Sequence, residues 1–500
     1  MANLYFPTDT ADAKRLSRLY QRGKLHRIRQ GIYIDANAIG ELESTLESRW
    51  YEVAEFLFER PVATHRTAAE LRPVQGRVYL TAAVRKRRSV RVGPLRFEVF
   101  PGELLQGVEP FVPSLKRSNL PRQCLENLMP SRARTGVRKT LGKEWVEQKL
   151  VQEVQTRGEK GLNELRDEAK ALAPILHLDK ELGQLQRMIS AILKTHLIEG
   201  VLNTRLGIAV AHGDPFDEDR LRLFERFAQY LIENHDSYPL VAKDFAYNKA
   251  AWRNLAFFES YFSNYIEGTR FTIDEAEEIV FHGREINHRH ADSHDVLAHV
   301  EIGGDFSEMV HTPKSAAEMI DILKLRHRLL MAERPDQHPG TFKRRPNKAG
   351  STTFVGPDEV EGTLVQGFGV YQQLTPGLQR ALFIHFIVAE CHPFDDGNGR
   401  LARLMMNAEL VASDSYKIIV PSVHRESYLH GMRQATRRGR FRTMVKVLHQ
   451  LHCYTASIDW LDYAEARHTL ELHAANQEPD EGVPTFNKAL RQFRHEYLSD

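Results

Sequence analysis

The stretch His392-Pro393-Phe394-Asp395-Asp396-Gly397-Asn398-Gly399-Arg400 decides how this chain is read. Gly397, Asn398 and Gly399 open backbone conformations closed to bulkier residues, so successive N–H groups can converge on one anionic oxygen at a helix N-terminus. Asp396 is placed to hold a magnesium ion, which prefers a few carboxylates together with phosphate oxygens and water. Arg400 and Arg403 follow within a turn, where two guanidinium forks can clamp outer phosphates. His392 supplies an imidazole that titrates near neutrality and can take a proton from an attacking hydroxyl. Singly, each of these residues reads as a cap, a turn or a solvated helix face. No fold requirement demands all of them in this order.

Outward from that stretch, the apolar spacing predicts two helices. One runs from Thr375-Pro376, a capping residue followed by proline, and buries Leu378, Leu382, Phe383, Phe386 and Ile387. It must stop at His392, because Pro393 disfavours helical geometry in the residue before it. The second starts near Asn398 and buries Leu401, Leu404, Met405 and Ala408. The motif is therefore a helix-loop-helix with its glycines at the mouth of the second helix, and Phe394 reads as an anchor in its core.

From His392 to Arg403 the sequence resembles the Fic family of nucleotidyl transferases at every position of the pattern H-P-F-x-[D/E]-G-N-G-R-x-x-R. The resemblance covers roughly residues 240 to 465. It implies a mainly α core that transfers AMP from ATP to a Ser, Thr or Tyr hydroxyl of a target protein and releases pyrophosphate. It implies His392 as base and Asp396 as the Mg2+ ligand. Phe394, Gly397, Asn398, Gly399, Arg400 and Arg403 would form the nucleotide site, and Asn407 and Tyr428 would contact ribose or adenine if they are not simply packed. Family members carry a hairpin flap that pairs with the target backbone. Ser351, Thr352, Thr353 and Phe354, within the polar segment 344–356, occupy its expected place. The base of the nucleotide, whether ATP, UTP, GTP or CTP, stays open.

Ser263-Asn264-Tyr265-Ile266-Glu267-Gly268 looks like the inhibitory motif [S/T]-x-x-x-E-[G/N] of many Fic proteins. Ser263, Glu267 and Gly268 then form a built-in brake, in which Glu267 competes with the γ-phosphate for Arg403. Some family members also use this glutamate to direct water at the modified hydroxyl and remove AMP, and that reverse activity stays open. So does oligomeric state, dimerisation being a common family means of stabilising the brake.

Five hundred residues exceed one ordinary core, and the formal net charge of +2 names no partner. Cys124, Cys391 and Cys453 lie far apart without paired spacing, which argues against a disulfide framework or a zinc site. The first residues lack the apolar run of a secretory signal, no stretch reads as a membrane span, and the expected location is the cytoplasm.

Composition along the chain suggests four parts. Residues 1–115 read as a smaller α+β domain, 116–235 as a helical connector, 236–470 as the Fic core with its inhibitory helix, and 471–500 as a peripheral tail. In the first part, a helix over 9–22 leads to a hairpin over 25–34, and runs at 78–80, 90–92 and 97–100 suggest strands. Lys14, Arg15, Arg18, Lys24, Arg27 and Arg29 cluster there as a footprint for DNA phosphates. L-S-R-L-Y-Q-R-G-K-L-H-R-I-R-Q-G-I-Y at 16–33, with A-T-H-R-T-A-A-E-L at 63–71, resembles AbiE-type antitoxins and related winged-helix regulators, although little chain precedes the would-be recognition helix. That resemblance implies a second function class, a DNA-binding autorepressor of toxin-antitoxin type in which the Fic core acts as a sensor. The intact motif residues argue against that core being a vestige.

Overall fold

The computed structural model describes residues 3–113, 115–132, 136–193, 201–242 and 248–497. The chain divides into two compact units, Met1–Gly213 and Asp214–Asp500. This moves the boundary expected near 235. The helix Glu218–Glu233, read as connector, belongs to the second unit because Phe227 packs on Phe383 and Phe386, with ring centroids 6.0 and 4.9 Å away.

In the first unit, Asp9 caps the helix Thr10–Gln21 by accepting from the Asp12 N–H at 2.8 Å. The hairpin Leu25–Arg29 and Ile32–Asp35 follows, and the strand Leu4–Tyr5 pairs on its far edge. A six-stranded mixed sheet comes next, in the order Arg88–Val92, Leu95–Phe100, Arg77–Thr81, Val62–Ala63, Leu115–Ser118 and Val108–Val112. The alternation predicted from 78–80, 90–92 and 97–100 is realised there, with Val78, Leu80, Phe97 and Val99 fully buried around Trp50 and Val53. Helices Lys143–Leu176, which kinks at Gly158, and Asp179–Ile192 enclose a separate apolar core of Leu150, Leu162, Leu185 and Met188.

The second unit is helical apart from one short hairpin among its described residues. The helices Leu378–Cys391 and Asn398–Ala412 pack together at its centre, and Leu382, Phe383, Phe386, Leu401 and Leu404 have no exposed surface. The first begins two residues later than Thr375-Pro376 suggested: Gly377 takes a left-handed φ of 94°, and the Gln379 carboxamide oxygen accepts from the Thr375 N–H and hydroxyl at 3.0 and 2.8 Å. Lys249–Ile266 and Ala316–Leu330 pack on Asn398–Ala412, His290–Gly304 packs on Lys249–Ile266, and Arg425–Arg438 packs on Arg442–Ala456.

The expected peripheral tail is instead part of this unit. Pro479–Tyr497 is a helix that buries Phe486 against Tyr454 and His424, and Glu478 accepts from the Arg270 guanidinium at 2.6 Å. One buried aromatic in a polar stretch has no periodicity to announce it. Residues 498–500 of that tail lie outside the described residues. No helix among the described residues is long and apolar enough to cross a membrane.

Candidate active site

Pro393 ends the central helix at Cys391, and His392 caps it in the left-handed region with φ 47°. Its Nδ1–H donates to the Ala389 carbonyl at 3.3 Å, which leaves Nε2 as the bare lone pair. The ring stacks on Phe354 of the hairpin at 3.8 Å and 5°. Burial pushes the imidazole down to about 4, so at neutral pH it is an unprotonated base.

The loop beyond His392 is braced from within and from behind. Asn398 spends both ends of its carboxamide on Phe394, accepting from its N–H at 2.9 Å and donating to its carbonyl at 2.8 Å. Its side chain therefore closes the loop rather than facing outward. The Phe394 ring is fully buried and stacks on His327 at 3.7 Å, whose Nε2–H donates to the Asp396 carbonyl at 3.0 Å. Behind the loop, Lys343 Nζ donates to the Cys391 carbonyl at 3.1 Å, and Asn347 Nδ2 donates to the carbonyls of His392 and Phe394 at 3.3 and 3.1 Å. Sequence reasoning missed His327, Lys343 and Asn347; they belong to no motif, and only their neighbours in space give them work.

Gly397 stands at the N-cap of the second helix with φ 74°, and a Cβ there would lie 2.8 Å from Met331 Sδ. No side chain caps this helix, so its first-turn N–H groups remain available to an anion. Gly399 answers a different demand, since a Cβ on it would lie 2.1 Å from Glu267 Oε1.

The two motif arginines have separate surroundings. Arg403 Nη2 reaches Glu267 Oε1 at 2.7 Å, and Ser263 accepts from the same guanidinium through its hydroxyl at 2.9 Å and its carbonyl at 3.0 Å. Arg400 instead pairs at 2.6 Å with Asp295, which is only 1% exposed and also receives Arg334 at 2.9 Å. Its carboxylate was not anticipated, lying as it does on the His290–Gly304 helix far from any motif. Glu267 caps the Lys249–Ile266 helix, and Gly268 turns the chain away with φ 99°.

A cavity of 420 Å³ joins these parts, lined by His392, Gly399, Arg403, Glu267, Phe354 and Tyr428, with Thr352 and Arg437 at the hairpin side. Arg400 and Asn407 are outside its wall. Asn407 is fully buried and clamps Glu259 at 2.7 Å and the Ile418 backbone at 2.8 Å. The Tyr428 hydroxyl bonds His385 Nε2 at 2.8 Å. The hairpin pairs Lys348–Ala349 with Thr352–Thr353 around exposed Ser351, and Arg220 donates to the Thr353 carbonyl at 2.6 Å.

Asp396 turns its carboxylate to solvent, 53% exposed and 3.9 Å from Arg400. Among the described residues no group of three or more His, Cys, Asp or Glu side chains could hold a metal alone. The donor set fits a magnesium ion that arrives with a nucleotide, because such an ion takes most of its ligands from phosphate and water.

In the first unit Lys14, Arg15, Arg18, Lys24, Arg27 and Arg29 are all exposed. Arg15 pairs with Asp12 at 2.7 Å, Arg29 donates to the Arg91 carbonyl at 2.8 Å, and Arg27 lies 4.9 Å over the Tyr20 ring.

A helix-loop-helix thus brings a neutral histidine, a glycine-lined helix N-terminus and a buried arginine around one cavity. Residues 319–410 match the model of the Fic/DOC family. Curated relatives include a protein adenylyltransferase Fic of Drosophila persimilis, 26% identical over 232 residues and 45% of each chain, and that of Drosophila willistoni, 27% identical over 193 residues and 38% of each. The chain thus spans less than half the length of these relatives. Among solved structures it is similar to a Fic domain containing signaling protein from Bacteroides thetaiotaomicron, with 21% identity, 48% of this chain and 97% of that one covered, and a TM-score of 0.37. Fic-1 (aa134–508) from C. elegans gives 19% identity, 65% and 98% coverage, and a TM-score of 0.36.

Proposed function

We propose that this chain transfers AMP from ATP to a Ser, Thr or Tyr hydroxyl of a target protein and that Glu267 restrains it. His392 Nε2 takes the hydroxyl proton as the oxygen attacks the α-phosphorus; the bond to the bridging oxygen breaks, and pyrophosphate leaves with its electron pair. The uncapped N–H groups of the second helix hold the α-phosphate, and the hairpin aligns the target backbone by strand addition. Asp396 would hold the magnesium ion, which when bound neutralises charge on the phosphate oxygens.

One observation carries the reading: the Glu267–Arg403 pair at 2.7 Å shares a cavity with a neutral His392. While the carboxylate holds that guanidinium, Arg403 is not free to clamp an outer phosphate. The names of the curated relatives support the same chemistry. In Glu267→Gly, labelling from α-32P-ATP should rise about 10- to 100-fold, the range that one charge-assisted contact commands. Glu267→Gly labelling no more than wild type would sink the brake, and labelling that survives His392→Ala would sink the base.

A DNA-facing role for the first unit is favoured by its exposed cations on one helix and hairpin. Duplex binding should then weaken steeply with salt. A titration flat between 50 and 200 mM salt, roughly the range over which phosphate contacts dissolve, counts against it.

A further inference from the structure

The first unit holds a second cavity, of 570 Å³, where the parallel strands Arg77–Thr81 and Leu95–Phe100 end together at Thr81 and Phe100. Crevices at the carboxyl ends of parallel strands are where α/β sheets bind ligands. His65 stands in its wall with φ 52°, a left-handed conformation that strains a residue carrying a Cβ. Glu126 pins it there, accepting from the His65 N–H at 2.8 Å.

The polar groups of this wall are unequally satisfied. Glu126 is engaged at both oxygens, by Arg122 at 2.7 Å on one and by Ser118 and the His65 N–H on the other. One oxygen of Glu103 takes the backbone N–H groups of Leu104, Leu105 and Gln106. Arg122 is fully used, giving its remaining nitrogens to the carbonyls of Gln106 and Glu103. Lys139 is the exception: among the described residues no carboxylate comes within ion-pair distance, and its Nζ has His65 Nε2 at 3.5 Å and the Phe100 ring at 5.2 Å.

An ammonium has no lone pair, so at 3.5 Å the Lys139 Nζ–H donates to His65 Nε2, and the ring carries its proton on Nδ1, which donates to the Thr64 hydroxyl at 3.1 Å. Burial, which holds His65 near 4, keeps the imidazole to that single proton. Lys139 therefore meets a neutral acceptor and, among the described residues, no counter-charge. Across the cavity the wall is apolar, with Met129, Leu176 and a 40% exposed Ile175.

We propose that this cavity binds a small organic anion, its carboxylate or phosphate group on Lys139 Nζ and its apolar body against Met129, Ile175 and Leu176. An anionic group there supplies the counter-charge that Lys139 lacks, and a hydrocarbon body covers the exposed isoleucine. The volume suits a ligand of that size.

Calorimetric titration of the full chain with hexanoate, hexyl phosphate and hexan-1-ol tests this. Saturable binding of at least one anion is expected, with the alcohol weaker by about tenfold or more, and the tighter of the two anions identifies the head group. Lys139→Met should weaken that anion by about tenfold, which also separates this site from the Arg403 cavity. Lys139→Arg, which keeps the charge, should bind it within a few-fold of wild type with the thermal melt preserved. Equal affinity in wild type and folded Lys139→Met, equal affinity for the alcohol, or no saturable binding of either anion overturns the proposal.

Discussion

At His392 the same burial that makes the residue hard to protonate makes it useful. An imidazole held near 4 is already the base form throughout the neutral range, and Nδ1–H on Ala389 aims the lone pair of Nε2 at the cavity. Because the folded value lies below the ordinary one, the base form is complete above it and is lost only as pH falls through about 4. The kcat/KM of Glu267→Gly should therefore stay flat from about pH 7.5 down to about 5.5, since it reports the free enzyme. A limb near the ordinary histidine value of about 6.5 would show that burial does not hold His392 down. Residue types and order made His392, the nest and Arg403 legible. Arg400 was legible as a cation and not as a neighbour of Asp295: whether a guanidinium meets phosphate or a buried carboxylate depends on which helix packs over it, and no local pattern encodes that.

Between elements, the helices Lys249–Ile266 and Asn398–Ala412 meet along a ladder of polar pairs. Asn407 meets Glu259 at 2.7 Å, Arg400 meets Asn264 at 3.3 Å, and Arg403 meets Ser263 and Glu267. Lys417 anchors the same Glu259 from the other side at 2.6 Å, in a pair with almost no solvent contact. Breaking such a pair is costly, so the helix behind Glu267 is held in place, and under the proposed function release of Arg403 is a movement of this cap residue. Gly399 lies under that residue, and its helical position would otherwise favour alanine by about 1 kcal/mol. Gly399→Ala should destabilise the wild type by roughly 1–3 kcal/mol through overpacking on Glu267. In the Glu267→Gly background the same substitution should be neutral or stabilising. Denaturant titrations of the four proteins give the coupling, and additive effects would mean that Gly399 is not reserved for Glu267. The helices themselves were legible from period and capping, and so was the hairpin from its turn-forming residues. Their register was not, because it rests on pairs whose members lie more than a hundred residues apart.

For the whole molecule, every residue lining the 420 Å³ cavity belongs to the unit Asp214–Asp500. Composition placed the edges of this core at 236 and 470; packing places them elsewhere, because Phe227 and Phe486 are buried in it. The disagreement can be decided by cutting the chain. A fragment of residues 214–500 carrying Glu267→Gly should unfold cooperatively and label from α-32P-ATP within a few-fold of the full chain, since it keeps its own core and the entire cavity wall. A fragment of residues 236–470 loses the Glu218–Glu233 helix and Phe486. Deleting one buried phenylalanine costs about 3–5 kcal/mol, and a domain stability of roughly 5–15 kcal/mol leaves little margin for two. That shorter fragment should lack a cooperative thermal transition and transfer no label. If it instead melts and labels like the longer one, Phe227 and Phe486 pack on a core that stands without them, and the boundaries read from composition are the right ones.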